Sequence, residues 1–118
     1  MPDVLVVDDD AAFRALAVRL LQAAGFRVAG EADSVRRAME AVLDLRPAAV
    51  LLDVGLPDGD GITLAAELVS LPWSPRVVLT SSDGDAASSA DVNRSGAAAF
   101  IGKEDLSDVS LRQAFAAP

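Results

Sequence analysis

Four aspartates lie where this sequence could support phosphoryl chemistry. Asp8, Asp9 and Asp10 directly follow the apolar run "VLVV", and Asp53 ends a second apolar run, "AAVLLD". Clustered carboxylates repel one another unless a cation offsets their charge, and magnesium is bound by carboxylate, water and phosphate oxygens. A carboxylate can also act as the nucleophile in phosphoryl transfer. The arrangement therefore predicts a magnesium-dependent phosphoryl-transfer site.

The cation expected beside these carboxylates is Lys103. It is the only lysine in the chain, since nine of the 10 basic residues are arginines. A compact, flexible ammonium fits sites that a planar guanidinium does not fit. The alternative is a lysine left by chance in an arginine-rich sequence, which the spacing alone does not exclude.

Composition excludes several other kinds of site. The 118 residues include no Cys and no His, so disulfides, thiol catalysis and histidine-based acid–base or metal chemistry are absent. The formal net charge of -8 disfavours direct binding to nucleic acid. No apolar segment approaches the ~20 residues that span a bilayer, and the N-terminus lacks a signal-peptide pattern. We therefore expect a cytoplasmic domain without membrane or nucleic-acid contacts.

Five strand-like runs alternate with segments of helical character. The runs occupy residues 3–7, 27–32, 48–53, 75–80 and 97–101. Apolar residues at helical spacing predict the intervening helices, with Asp10, Ser34 and Ser107 as N-caps. The fourth helical segment, within residues 83–96, is small and polar and is expected to pack loosely. Strands alternating with helices predict an α/β fold with a doubly wound parallel sheet.

In such sheets, ligands bind outside the carboxyl ends of the strands. Asp8 and Asp9 follow the first strand, Asp53 the third, Thr80 the fourth and Lys103 the fifth. The topology therefore predicts that these five residues share one edge of the sheet. For Thr80, a hydroxyl bonded to its own backbone is the alternative.

Other loop residues are assigned structural roles. Asp58 and Asp60 are expected to serve the turn that contains Gly59 and Gly61. Trp73 is expected to pack against the edge of the domain at the opposite end of the sheet.

Four segments resemble, in order, the receiver domain of two-component response regulators, of the CheY-like superfamily. "VLVVDDD" resembles its acidic pair, "VLLDVGLPDGDGI" its phosphoacceptor segment, "VVLTSS" its hydroxyl position and "SGAAAFIGKEDL" its aromatic and lysine positions. The resemblance covers essentially the whole chain. It implies the strand order 2-1-3-4-5 and a single receiver domain over residues 1–118, with no output domain in this chain.

The resemblance also implies a reaction. Asp53 would accept a phosphoryl group from a phosphohistidine of a sensor histidine kinase or phosphotransfer protein. Magnesium would be held by Asp9, Asp53 and the backbone carbonyl of Gly55, with Asp8 acting mainly through metal-bound water.

A conformational switch is implied as well. Thr80 and Lys103 would hold phosphoryl oxygens, and a shift of Thr80 would be coupled to inward rotation of Phe100. The change would alter the face built from the fourth helix, the fifth strand and the fifth helix. The domain would then be a signalling switch rather than an enzyme.

The sequence leaves several alternatives open. A receiver can act as an unphosphorylated interaction module, although loss of the acidic pair, acceptor or lysine usually marks such cases and none is lost here. The chain could be a stand-alone receiver or a fragment of a longer regulator with a helix-turn-helix DNA-binding domain. The motifs "LPDGDGI" and "KEDL" favour the fragment, because they resemble those of receivers that precede such domains. Phosphorylation-dependent homodimerisation is a further possibility. A haloacid-dehalogenase-type phosphatase does not match, because Ala12 stands where that motif has Thr or Val and the chain has little room for a cap domain.

Overall fold

Five parallel strands form one sheet, and their order confirms the predicted 2-1-3-4-5 arrangement. The computed structural model describes residues 3–82 and 89–116. The sheet strands are β1 (Asp3–Val7), β2 (Arg27–Ala32), β3 (Ala49–Asp53), β4 (Arg76–Ser81) and β5 (Ala99–Gly102). β1 lies between β2 and β3, and β4 lies between β3 and β5. The α/β fold class is therefore confirmed.

The helices occupy the predicted connections. They are α1 (Ala11–Ala23), α2 (Val35–Leu45), α3 (Gly61–Val69), α4 (Ser89–Ser95) and α5 (Asp108–Ala116). A short antiparallel pair, Gly55–Leu56 with Gly59–Asp60, precedes α3. The part of the fourth helical segment over residues 83–88 lies outside the described residues. In the described parts of the chain, the helices are too short or too polar to cross a membrane.

The three predicted N-caps are confirmed. Each cap side chain accepts hydrogen bonds from backbone N–H groups of the first helical turn, which have no partner within the helix. Asp10 accepts from Ala12 at 3.0 Å and Phe13 at 3.4 Å, Ser34 from Arg37 at 3.1 Å, and Ser107 from Ser110 at 3.0 Å. The Asp10 cap fixes the start of α1 directly beside the end of β1.

The sheet buries apolar side chains on both of its faces, because successive strand residues point to opposite sides. The α2/α3 layer joins one set of strand residues to those two helices: Leu5, Val50, Leu52, Val77, Leu79, Val42, Leu64 and Leu68. The α1/α5 layer lies on the other face: Val4, Val6, Leu51, Val78, Phe13, Leu21, Leu111 and Phe115. The candidate site lies at the carboxyl end of strands that both layers hold in place.

Trp73 packs at the edge of the domain, as predicted. Its ring contacts the α2/α3 layer, and its indole N–H donates to the backbone carbonyl of Pro47 at 3.2 Å. The guanidinium of Arg46 lies 4.9 Å from the ring centroid. These contacts give Trp73 a structural role between α2 and the segment that leads into β4.

Asp58 lies in the predicted turn, between Gly55–Leu56 and Gly59–Asp60, but its carboxylate also bonds a second segment. Its carboxylate accepts the backbone N–H groups of Val35 at 2.7 Å and Arg36 at 3.1 Å, at the start of α2. These hydrogen bonds hold the pKa of Asp58 below its usual range, and the bond from Val35 has the largest effect. Asp60, by contrast, caps α3 through the N–H of Ile62 at 3.0 Å. The loop after β3 is therefore tied to α2.

We expect Asp58→Ala to loosen the first turn of α2. The amides of Val35 and Arg36 would lose a carboxylate acceptor, so their hydrogen exchange should accelerate. Exchange can be followed residue by residue by NMR. Asp60→Ala is the matched control and should accelerate exchange at the start of α3 instead. Unchanged exchange at Val35 and Arg36 in Asp58→Ala would contradict the assignment.

Candidate functional site

The structure brings the three predicted metal-binding carboxylates together. Val7 of β1 pairs with Leu52 of β3, so the residues that follow them emerge side by side. Asp8, Asp9 and Asp53 each place a carboxylate oxygen within 4.8 Å of the others. Asp8 is fully buried, Asp53 is 6% exposed, and Asp9 is exposed to solvent. The cluster therefore combines two buried carboxylates with one that reaches solvent.

Lys103 follows β5 and reaches into this cluster. Its Nζ atom lies 2.6 Å from Oδ2 of Asp8 and 3.9 Å from Oδ2 of Asp53. The lysine side chain is 18% exposed, whereas that of Asp8 is completely buried. An ion pair of this kind offsets a buried negative charge that would otherwise be strongly unfavourable. The ammonium therefore lies closer to Asp8 than to Asp53.

The electrostatic environment of Asp53 favours uptake of positive charge. Burial, together with the nearby negative charges of Asp8 and Asp9, raises the pKa of Asp53 to about 6. Lys103 and the N–H of Gly55, which lies 3.4 Å from Oδ1, oppose this rise only in part. Three carboxylates facing one ammonium leave excess negative charge, and their oxygens suit a hard divalent cation.

Thr80 is a buried residue beside Asp53 in the sheet. It is the register partner of Asp53, and the N–H of Val54 donates to its backbone carbonyl at 2.9 Å. The side chain is fully buried, and its Oγ1 atom has no hydrogen-bond partner within the described part of the chain. The alternative of a hydroxyl bonded to its own backbone is therefore not observed. Buried hydroxyls are normally satisfied, so a ligand oxygen here would fill a real need.

The structure places Gly55 beside Asp53, whereas Phe100 lies in β5. Gly55 is exposed, and a Cβ atom added to it would meet no atom within 4 Å. Phe100 pairs with Leu79 in the sheet and packs, partly buried, against the α2/α3 layer. The metal-binding role of the Gly55 carbonyl and the switch role of Phe100 stay predictions.

Sequence reasoning missed two residues of α1 that support the site. Arg14 donates from Nη1 to the backbone carbonyl of Asp8 at 2.6 Å and from Nε to Glu31 at 3.0 Å. The ring centroid of Phe13 lies 4.2 Å from Nζ of Lys103. In the sequence, Phe13 reads only as one member of the apolar stripe of the first helix. The available signal was position, since both residues fall in the first helical turns after the three aspartates.

Comparison with known proteins decides the family. Residues 4–115 match the family model described as response regulator receiver domain. The chain belongs to this family. The receiver is 33% identical over 100 residues to the chemotaxis protein CheY of Thermotoga maritima, covering 85% of this chain and 83% of that protein. The CheY-like resemblance drawn from the sequence is therefore confirmed.

Transcriptional regulators are also among the relatives of this receiver. The DNA-binding transcriptional activator DevR/DosR of Mycobacterium tuberculosis is 40% identical over 116 residues, covering 97% of this chain and 52% of that protein. The receiver thus spans about half the length of this relative. The receiver domain of the putative response regulator NarL from the same species has a TM-score of 0.81 and 34% identity, covering 96% of this chain and 91% of that one.

Proposed function

We propose that Asp53 accepts a phosphoryl group from a phosphohistidine of a partner sensor histidine kinase or phosphotransfer protein. The observation that carries this proposal is the cluster of Asp8, Asp9, Asp53 and Lys103 at the carboxyl end of the sheet. Receiver domains act as signalling switches. A carboxylate oxygen of Asp53 would form the new P–O bond while the P–N bond to the donor imidazole breaks.

Magnesium fits the donor set of this cluster. Receiver domains bind this ion at an acidic pocket. Here Asp8, Asp9 and Asp53 would hold it together with the backbone carbonyl of Gly55, Asp8 acting mainly through water. When bound, the ion supplies positive charge to the phosphoryl oxygens during transfer. The excess of buried carboxylate over ammonium supports this assignment, because the protein's own groups leave the site negatively charged.

The other side chains act on the phosphoryl group directly. The ammonium of Lys103 would offset charge on one phosphoryl oxygen, since it already lies 3.9 Å from the acceptor carboxylate. The hydroxyl of Thr80 would donate to another, which would supply the partner that its Oγ1 atom lacks within the described residues. A catalytic contribution from the chain itself would therefore be limited to its own phosphorylation and dephosphorylation.

The proposed output is a change in the face formed by α4, β5 and α5. A shift of Thr80 toward the phosphoryl group would move the neighbouring strand β5, with which Thr80 pairs. Phe100 lies in β5 and is partly buried there. We propose that residues 1–118 form a single receiver that controls a helix-turn-helix output domain in a longer regulator. The coverage of only half of a DNA-binding activator supports this view. Cytoplasmic location and phosphorylation-dependent dimerisation stay predictions.

The direct test is intact-protein mass spectrometry after incubation with phosphoramidate, with and without magnesium. We expect a magnesium-dependent gain of one phosphoryl group in the wild-type protein and no gain in Asp53→Asn. Asp58→Asn is the matched control, because this carboxylate lies in the following loop and bonds the start of α2. Phosphorylation of Asp53→Asn would show that Asp53 is not the phosphoacceptor. Absence of any gain in the wild type would favour an unphosphorylated interaction module.

A further inference from the structure

The Lys103 ammonium contacts an aromatic ring as well as carboxylates. The centroid of the Phe13 ring lies 4.2 Å from Nζ, in addition to Asp8 at 2.6 Å and Asp53 at 3.9 Å. A cation at this distance from an aromatic ring is attracted by its quadrupole, and the attraction grows when water is excluded. Phe13 is only 9% exposed, so the contact is largely shielded from solvent.

The ring of Phe13 is packed within the core. Phe13 belongs to the α1/α5 layer, and its backbone N–H lies 3.4 Å from the Asp10 cap. Lys103, in contrast, has a flexible four-carbon stem that would extend toward water without a contact to hold it. A rigid ring therefore restrains a flexible cation at the edge of the carboxylate cluster.

We infer that Phe13 is a positioning residue for Lys103, a role that rests on the proposed acceptance of a phosphoryl group at Asp53. The ring holds the ammonium where it meets both Asp8 and an incoming phosphoryl oxygen. An aliphatic side chain at this position fills the core but offers no quadrupole to the cation. Phe13 is thus both a residue of the apolar core and a contact of the Lys103 ammonium.

A spectroscopic test is direct because Lys103 is the only lysine of the chain. Isotope-labelled lysine gives one set of side-chain NMR signals. In the wild type we expect the Lys103 Hε signals to be displaced upfield by the Phe13 ring current. The displacement should disappear in Phe13→Leu and Phe13→Met and persist in Phe13→Tyr. Two aliphatic variants are used so that a folding defect in one does not decide the result.

Phe115→Leu is the matched control. Phe115 is a buried phenylalanine of the same core layer, and its ring contact is with Phe26 at a centroid distance of 5.7 Å. Its replacement should destabilise the domain without moving the Lys103 signals. An undisplaced Lys103 signal in the wild type would overturn the inference. Equal changes in Phe13→Leu and Phe115→Leu would also overturn it.

The kinetic test uses phosphoramidate and magnesium with the same proteins. We expect the initial rate of Asp53 phosphorylation to fall about threefold in Phe13→Leu and to be retained in Phe13→Tyr and Phe115→Leu. A lost ring-current displacement with an unchanged rate would overturn the positioning role. If the wild type accepts no phosphoryl group, the proposed function fails, and the NMR comparison still shows whether the ring holds the lysine.

Discussion

Replacing Gly61 by alanine is expected to destabilise the domain by about 3 kcal/mol or more. A Cβ atom at this position would lie 2.2 Å from the backbone oxygen of Asp53 and 2.8 Å from Cα of Val54. Both neighbours are backbone atoms, so no side-chain rotation can relieve the overlap. The N–H of Gly61 also donates to the carbonyl of Val54 at 2.7 Å. Relief would require α3 to move away from the segment that bears the proposed phosphoacceptor.

Urea unfolding followed by circular dichroism measures this loss of stability. Gly55→Ala is the control, because an added Cβ at that exposed position meets no atom within 4 Å. Its free energy of unfolding should stay within about 0.5 kcal/mol of the wild-type value. Equal stabilities of the two alanine variants would show that α3 and the segment after β3 can separate without a penalty.

Asp53→Asn is expected to stabilise the metal-free protein near neutral pH by on the order of 2 to 3 kcal/mol. In the folded wild type, burial and the negative charge of Asp8 together raise the pKa of Asp53 from 3.8 to about 6. The ionised carboxylate is therefore less favourable in the folded protein than in the unfolded chain. Asparagine removes this charge and leaves Lys103 paired with Asp8.

The sign of the pH dependence follows from the raised pKa. Below the usual pKa of 3.8, Asp53 is protonated in both states, and its contribution to stability is fully present. That contribution is lost as the pH rises from 3.8 through about 6. The stability of the wild type should therefore fall relative to that of Asp53→Asn across this interval, and the two proteins should converge at acid pH.

Urea unfolding in EDTA, from about pH 4 to about pH 8, gives both stability curves. Added magnesium should raise the stability of the wild type more than that of Asp53→Asn, because the wild-type site offers one more carboxylate to the ion. Parallel curves without convergence at acid pH would show that Asp53 is not held in an unfavourable ionised state.

Much of the fold could be predicted because its signals are local. Short apolar runs alternate with helical apolar stripes, and Asp10, Ser34 and Ser107 stand immediately before the helices they cap. The carboxyl-edge rule then placed Asp53 and Lys103 at the same end of the sheet, where the structure has them. No measured distance was needed for these inferences, because a parallel sheet brings its strand ends together.

The missed features depend on contacts between segments that are distant in sequence. Asp58 lies 23 residues from Val35 in the sequence. The turn pattern of Asp58 and the neighbouring glycines does not indicate that the carboxylate bonds the start of α2. Phe13 has the spacing of an ordinary core residue, and only the tertiary structure shows that its ring meets Lys103. Gly61 reads as a turn glycine, yet the close approach of backbone atoms is what requires it.

The two-layered core has a consequence for how the sequence can change over evolution. Among the residues that the structure describes, the side chains of the α1/α5 layer and those of the α2/α3 layer form two separate clusters, one on each face of the sheet. Phe13 lies in the first layer and Phe100 packs against the second. We therefore expect mutations that repack one layer to leave the packing of the other layer nearly intact. The support of Lys103 and the surface around Phe100 can accordingly diverge at different rates within one domain.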